Sequence, residues 1–551
     1  MKKRYLLYTV LIGGLLSAGC KKGLDRFPET QFSDADYWNT ESDLINAANR
    51  MYQQLPGNWI DNRGDDNVAQ GGANTISNGT WVIPNTSGDW NNRYNEIFTA
   101  NNILEKGVKA QVTDAIKNRY FGEARFFRAY SYLQLVQKYG DVPLVLKTLD
   151  IGSPELSMPR TPRADVMKAI YDDLDFAATW LPTRAALPAA QWGRVTKSAA
   201  WALKARAALY EGTREKFRNE AGWQQHLQLA IDAATNVMSQ GHALYSNYQN
   251  LFTRVAEGPS NTEAIFVKIY GVSSANLLLG HNNSRDLENG RIAITRNLIR
   301  QYLYTDGLPA FNTDNTAVPT PSSLFVAEGS ETSYNTIFQN RDPRLTASVF
   351  QANESAYKGP WVPTTSLGAR SGYATKKGFS LDDWTLNGAA TTDRILIRYA
   401  EVLLIYAEAK YELNGTISDA DLNLTVNALR TRAGMAVKLT NAFVTTNNLS
   451  MREEIRRERT VELALEGFRY DDLIRWKTAE TVLPKELLGA KFVAADWPGT
   501  NPNTLNLNAN SILIAEPAST RKFQANRDYL YPVPLNEIAL SGGNVTQNPN
   551  W

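Results

Sequence analysis

Apolar positions recur at helical spacing in two blocks of this 551-residue chain. In TESDLINAANRMYQQL, Leu44, Ala48, Met51 and Leu55 fall at alternating four- and three-residue steps, and Thr40 stands where an N-cap belongs. GEARFFRAYSYLQLVQKYGDVPL, from Gly122, predicts one long helix that ends at Gly140, with Pro143 preventing continuation. RADVMKAIYDDLDFAATWLP places Val166, Ile170, Leu174, Ala178 and Leu181 on one face. GRVTKSAAWALKARAALYEG is dense in alanine (199, 200, 202, 205, 207, 208), which lets neighbouring helices approach closely. The second block opens with DRILIRYAEVLLIYAEAKYELNG, apolar nearly all round and therefore expected as one buried helix. It continues through ALRTRAG and MREEIRRERTVELALEGFRYDDLIRW. The pattern predicts a mainly helical, all-α fold of tetratricopeptide-like hairpins, although no clean period runs through the chain.

Between these blocks the texture changes. Residues 56–92, 271–290, 306–392 and 484–530 are rich in Asn, Gly, Thr, Pro and Trp and carry few periodic runs. Loops of that length in a compact protein are functional or disordered, and their aromatic content argues for order. The first residues read as an export signal, with Lys2, Lys3 and Arg4 ahead of an apolar run from Tyr5 to Ala18 that is too short to span a bilayer. Removing residues 1–19 takes the formal charge from +2 to −1. A near-neutral chain without a basic run has no electrostatic footprint for nucleic acid. Cys20, the only cysteine, follows small residues in LLSAGCKKG, as in a bacterial lipobox, although Ser17 stands where that motif has Leu. An acylated Cys20 would anchor the chain to a membrane, and the fold would then rest on its core, without a disulfide.

Several segments together resemble the SusD/RagB family of Bacteroidetes outer-membrane nutrient-binding lipoproteins. They are GEARFFRAYSYLQLVQKYGDVPL, GRVTKSAAWALKARAALY, DPRL from Asp342, IRYAEVLLIYAEA from Ile397, RRERTVELALEGFRYDDLIRW from Arg456, YPVP from Tyr531 and the final QNPNW. The resemblance implies a helical scaffold with four tetratricopeptide-like units and a loop-rich face. It also implies a lid-like partnership with a SusC-like TonB-dependent receptor barrel, which imports the glycan or oligosaccharide that the lipoprotein captures. The expected organisation is a signal peptide at 1–19, a lipidated tether at 20–26, and regions 27–265 and 266–551 packed as one unit.

Most of the hallmark residues have structural explanations. Arg452, Arg456 and Arg459 share a helix face with Glu462 and Glu466 a turn further on, the arrangement of an ion-pair network between packed helices. Arg398, Glu401 and Glu408 on an apolar helix are expected to pair with one another. Asp342-Pro343 reads as a helix start, and Trp90, Tyr94, Ile97 and Phe98 read as scaffold.

Ligand chemistry is sought instead in the loops. Sugar capture needs flat aromatic platforms for pyranose C–H faces and planar polar groups for paired hydroxyls. The segment from Gly57 to Trp90 has that composition, with Trp59 and Trp81 beside Asp61, Asn62, Arg63, Asp65 and Asp66. GHNNSRDLENGR adds Asn282 and Arg285, and YKGPWVPTT adds Tyr357 and Trp361 as a further aromatic arc. An enzyme is disfavoured. Asp172, Asp173 and Asp175 read as a solvated helix face, His226, His242 and His281 include no HExxH pair, and there is no thiol nucleophile, G-x-S-x-G elbow or phosphate loop. No cofactor or metal is expected. Two binding alternatives stay open, an oligopeptide ligand and a pure assembly subunit whose aromatic loops contact only the barrel.

Overall fold

The computed structural model describes residues 37–57, 61–71, 74–273, 276–357, 359–364 and 370–551. Its principal helices are α1 (Glu41–Tyr52), α2 (Gly88–Lys106), α3 (Asp114–Tyr139), α4 (Arg163–Trp180), α5 (Lys197–Phe217) and α6 (Trp223–Met238). The second half adds α7 (Tyr399–Asn414), α8 (Val426–Arg432), α9 (Met451–Glu462) and α10 (Arg469–Arg475). The helices pack in succession, α2 on α3, α3 on α4, α5 on α6, and α6 on α7, so the scaffold continues from the first half into the second.

Local chemistry explains these elements. The Thr40 hydroxyl accepts from the Asp43 amide while Asp43 answers the Thr40 N–H, a closed capping box at the start of α1. Leu44, Ala48 and Met51 are buried behind it. Gly140 ends α3 at φ +75°, where a Cβ would be strained. The alanines of α5 are all buried, and a Cβ added at Gly212 would stand 2.9 Å from Leu227 of α6. Small residues set the closeness of that contact.

Strands are few. Among the described residues they form four two-stranded antiparallel sheets. The most consequential pairs β2 (Ala264–Lys268) with β3 (Arg394–Arg398), Ala264 facing Arg398 and Lys268 facing Arg394. The boundary drawn at 265/266 therefore passes through a strand. Here the helical reading of DRILIRYAEV fails. Residues 394–398 are extended, and α7 starts only at Tyr399, because the hydrogen bonds of this apolar run are made across to β2. Similarly, MREEIRRERTVELALEGFRYDDLIRW breaks in two. Leu465 at φ +63° and Gly467 at φ +87° reverse the chain between α9 and α10.

The charged hallmarks form the expected network between helices, but with different partners. Arg398 stands at the N-cap position of α7 and binds Glu263 at 2.8 Å, Glu462 at 2.6 Å and Glu466 at 2.7 Å. Glu401 pairs with Arg206 of α5 and Glu408 with Arg475 of α10, each across a helix contact rather than with one another. Glu462 also receives Arg344 at 2.8 Å and Arg432 at 2.5 Å. Burial alone would raise its pKa, but Arg432, Arg398 and Arg344 hold it well below the usual carboxylate range. The short helix at Arg344 has Pro343 as its N-cap, and Asp342 accepts from the Arg344 N–H at 2.9 Å. Asp173 corrects the solvated reading of its helix face. It is buried and holds Arg128 through two bonds of 2.7 Å, while Asp172 and Asp175 are outward and pair with lysines.

Candidate functional site

A cavity of about 520 Å³ lies where α3, α5, β3, α7 and α10 converge. Three kinds of side chain line it. The first are charges already satisfied in the scaffold, such as Arg206 with Glu401 and Arg459 with Asp472. The second belong to the loop before β1 (Asn67–Val68), where Asp61 grips Arg63 through two bonds of 2.7 Å. Arg63 in turn donates to the Tyr531 hydroxyl at 2.5 Å and lies 4.2 Å from the Tyr470 ring centre.

The third group is polar and unsaturated. Tyr130, Gln134 and Gln137 project from one face of α3 at i, i+4 and i+7, and Tyr210 joins them from α5. None of the four side chains makes a hydrogen bond with another described residue. Burial pushes the Tyr210 hydroxyl up to about 12, so it is neutral at ordinary pH and both donates and accepts. Two amides and two hydroxyls thus face open space with their bonding capacity unused. Lys138, held by Asp89 at 2.5 Å, and Asp471 add one charge of each sign to the wall.

The loop candidates are dispersed. Trp59 and Cys20 lie outside the described residues. Asp61 and Arg63 line the cavity, and Trp81 stands behind it, half-buried, edge-to-face with Tyr531 at 4.3 Å and with Trp551 at 5.5 Å. The Asn62 side-chain oxygen accepts from Asn74 at 2.9 Å. Asp65 turns inward instead and pairs with Arg469 at 2.7 Å. Asp66 is also buried, and desolvation, with the charges of Asp65 and Asp61, raises its pKa to about 7.

Asn282 and Arg285 form a separate cluster that does not reach the cavity. Asn282 accepts from the Gly388 N–H at 2.6 Å, and the Arg285 guanidinium lies 3.8 Å from the Trp384 ring centre. Tyr357 and Trp361 form no outward arc. Both are buried with Phe350 and Phe379 in a second hydrophobic core, since the long segment from 306 to 392 must bury aromatics of its own to be ordered. Sequence reading passed over Tyr130, Gln134, Gln137 and Tyr210. Their signal was present in YSYLQLVQ, where glutamines interrupt a helix otherwise buried almost all round. Among the described residues, no group of His, Cys, Asp and Glu side chains is placed to hold a metal ion, and no helix is long and apolar enough to cross a membrane.

Comparison with known proteins places this geometry in context. Residues 258–551 match the model of the SusD family, and residues 36–209 match a model described as starch-binding and associating with the outer membrane. SusD-like protein P2 of Formosa agariphila is 26% identical over the whole of both chains. A SusD-like protein of Bacteroides ovatus is 25% identical over 85% of this chain and 82% of its own. Among solved structures, a SusD-like carbohydrate binding protein of Bacteroides fragilis superposes with a TM-score of 0.73 at 26% identity, covering 91% of this chain and 98% of that one. A laminarin binding SusD-like protein shares the fold, with a TM-score of 0.60 at 21% identity, over 93% of this chain and all of its own. The helical scaffold, the hallmark segments and these matches agree, and the chain belongs to the SusD family.

Proposed function

We propose that this protein is a lipid-anchored glycan-binding protein of the cell surface that passes an oligosaccharide to a SusC-like TonB-dependent transporter, without catalysing a reaction on it. The observation that carries the reading is the cavity wall of Tyr130, Gln134, Gln137 and Tyr210, four neutral polar side chains without hydrogen-bond partners among the described residues. Sugar hydroxyls match such groups, and the aromatic rings that line the same cavity, Phe468 and Tyr531 among them, suit C–H faces. The outer-membrane, starch-binding description of the matching family model and the carbohydrate-binding name of the Bacteroides fragilis relative support the same ligand class.

Titration calorimetry of residues 21–551 against a panel of oligosaccharides tests this, with affinity expected in the micromolar to millimolar range of polar sites. Gln134→Ala with Gln137→Ala should weaken binding at least tenfold while the helical circular-dichroism signal is unchanged, and an identical titration curve sinks the cavity as the site. Cys20→Ala should release the protein from membranes, and a barrel should co-purify with the wild type in detergent. A second reading, oligopeptide capture, draws on a different observation. Lys138 and Asp471 set opposite charges on one wall, the pair that a peptide's two termini would meet. Binding of peptides but not of any oligosaccharide would favour it.

A further inference from the structure

A second cavity, of about 350 Å³, is walled by Thr313, Glu453, Arg456, Trp476 and Thr478, among others, and shares no lining residue with the first. Arg456 is its unusual member. Of the arginines on α9, Arg452 reaches Glu412, Arg457 reaches Glu454 and Arg459 reaches Asp472. The Arg456 guanidinium reaches no carboxylate and makes no hydrogen bond among the described residues, yet the residue is only 5% exposed. Its guanidinium lies 4.7 Å from the Phe217 ring centre and 4.6 Å from that of Trp476. Nε and Nη2 are buried without an acceptor, and so is the Thr478 hydroxyl on the same cavity.

A buried guanidinium without an acceptor carries a desolvation cost that the two rings and the nearby carboxylates relieve only in part. The nearby acids are committed elsewhere, Glu408 to Arg475 and Trp476, and Glu412 to Arg452 and Lys216. Aromatic rings cover the guanidinium, so its free bonding capacity lies in its own plane, the geometry in which arginine grips a carboxylate with two parallel bonds. Glu453 sits on the same wall, its Oε2 accepting from the Thr313 N–H and hydroxyl. That second charge selects against a dianion and favours a ligand that shows Glu453 hydroxyls.

We propose that this cavity binds a small hydroxylated monocarboxylate of sugar size, its carboxylate in the plane of Arg456 and a hydroxyl on Thr478. An acidic monosaccharide has this chemistry, and the proposal stands whether or not the first cavity takes a neutral glycan.

Calorimetry with the full-length chain in detergent tests it, using D-galacturonate, D-galactose and inorganic phosphate as probes. Galacturonate should bind, galactose at least tenfold more weakly, and phosphate without measurable heat. Arg456→Lys keeps the charge but loses the planar fork, and should reduce galacturonate affinity at least tenfold. Should that variant fail to fold by circular dichroism, Thr478→Val decides, with a severalfold loss expected. The preference for galacturonate over galactose should persist in Gln134→Ala, which separates this site from the glycan reading. Equal binding of galactose and galacturonate, binding of phosphate, no binding of galacturonate, or wild-type affinity in Thr478→Val overturns the proposal.

Discussion

Two buried polar regions of this protein differ in how far their bonding capacity is used. Around Glu462, three arginines converge on one carboxylate, and Arg344 further engages Asp342 and Glu458. Around the first cavity, the side chains of Tyr130, Gln134, Gln137 and Tyr210 have no hydrogen-bond partner among the described residues. Saturation marks polar groups that hold helices together, and vacancy marks groups available to a ligand. The charged hallmark residues around Glu462 sit in the saturated region and identify the scaffold, whereas Tyr130, Gln134, Gln137 and Tyr210 fall in two other hallmark segments and face the cavity.

The contrast predicts opposite responses to mutation. Glu462→Ala leaves Arg344, Arg398 and Arg432 without their shared acceptor and should cost roughly 3–5 kcal/mol in chemical denaturation. An unchanged unfolding midpoint would break the comparison at its strongest point.

The next effect is on pH. Burial would raise Glu408, but Arg475, Arg459 and the Trp476 N–H hold it at about 2, below its unfolded value near 4.5. Its stabilisation is therefore complete above pH 4.5 and lost as pH falls toward 2. Asp66 has the opposite sign. With a folded value of about 7 against 3.8 unfolded, it destabilises the fold increasingly as pH rises from 3.8 through 7. Asp66→Asn should thus raise the melting temperature at pH 8 and leave it nearly unchanged at pH 4. An equal shift at both values would show that the charge is not responsible.

In the unsaturated region the effect moves from stability to binding. Gln134→Ala with Tyr210→Phe should change stability by no more than about 0.5 kcal/mol. Oligosaccharide affinity should fall roughly tenfold, the loss of one or two hydrogen bonds of about 1 kcal/mol each. A large drop in stability instead would mean that these side chains belong with the scaffold. The smallest effect is at Trp81, where Trp81→Phe should cost less than about 1 kcal/mol through weakened edge contacts with Tyr531 and Trp551. Thermal melts of the two proteins would measure it.

The scaffold was legible because its signals are local. Thr40, the Leu44 to Met51 stripe, Gly140 and the alanines of α5 each act within a turn or against one neighbour. Residues 394–398 were misread because an apolar run of that length suits either a strand or a helix, and only pairing with β2 decides. Asp65 looked like a surface ligand group because its partner, Arg469, lies 404 positions away. Trp361 looked exposed because a Gly- and Asn-rich context hides a core built from distant segments, including Tyr334 and Trp497. The cavity glutamines were passed over for the converse reason. Glutamines interrupting a buried helix hint at an opening, but that nothing bonds to them is a property of the folded surroundings and not of the segment itself.

The loop that brings Asp61 and Arg63 to the cavity is held from far along the chain. Asp65 is fixed by Arg469, Arg63 by Tyr531, and Trp81 by Tyr531 and Trp551. On the ribosome, where N-terminal segments emerge first, the helices up to α6 can begin to pack while these fastenings are still unsynthesised. This wall of the cavity is therefore among the last parts to assemble. A chain cut short before residue 469 would retain early helices but no finished wall, so a ligand would engage only protein whose synthesis has run through its final segment.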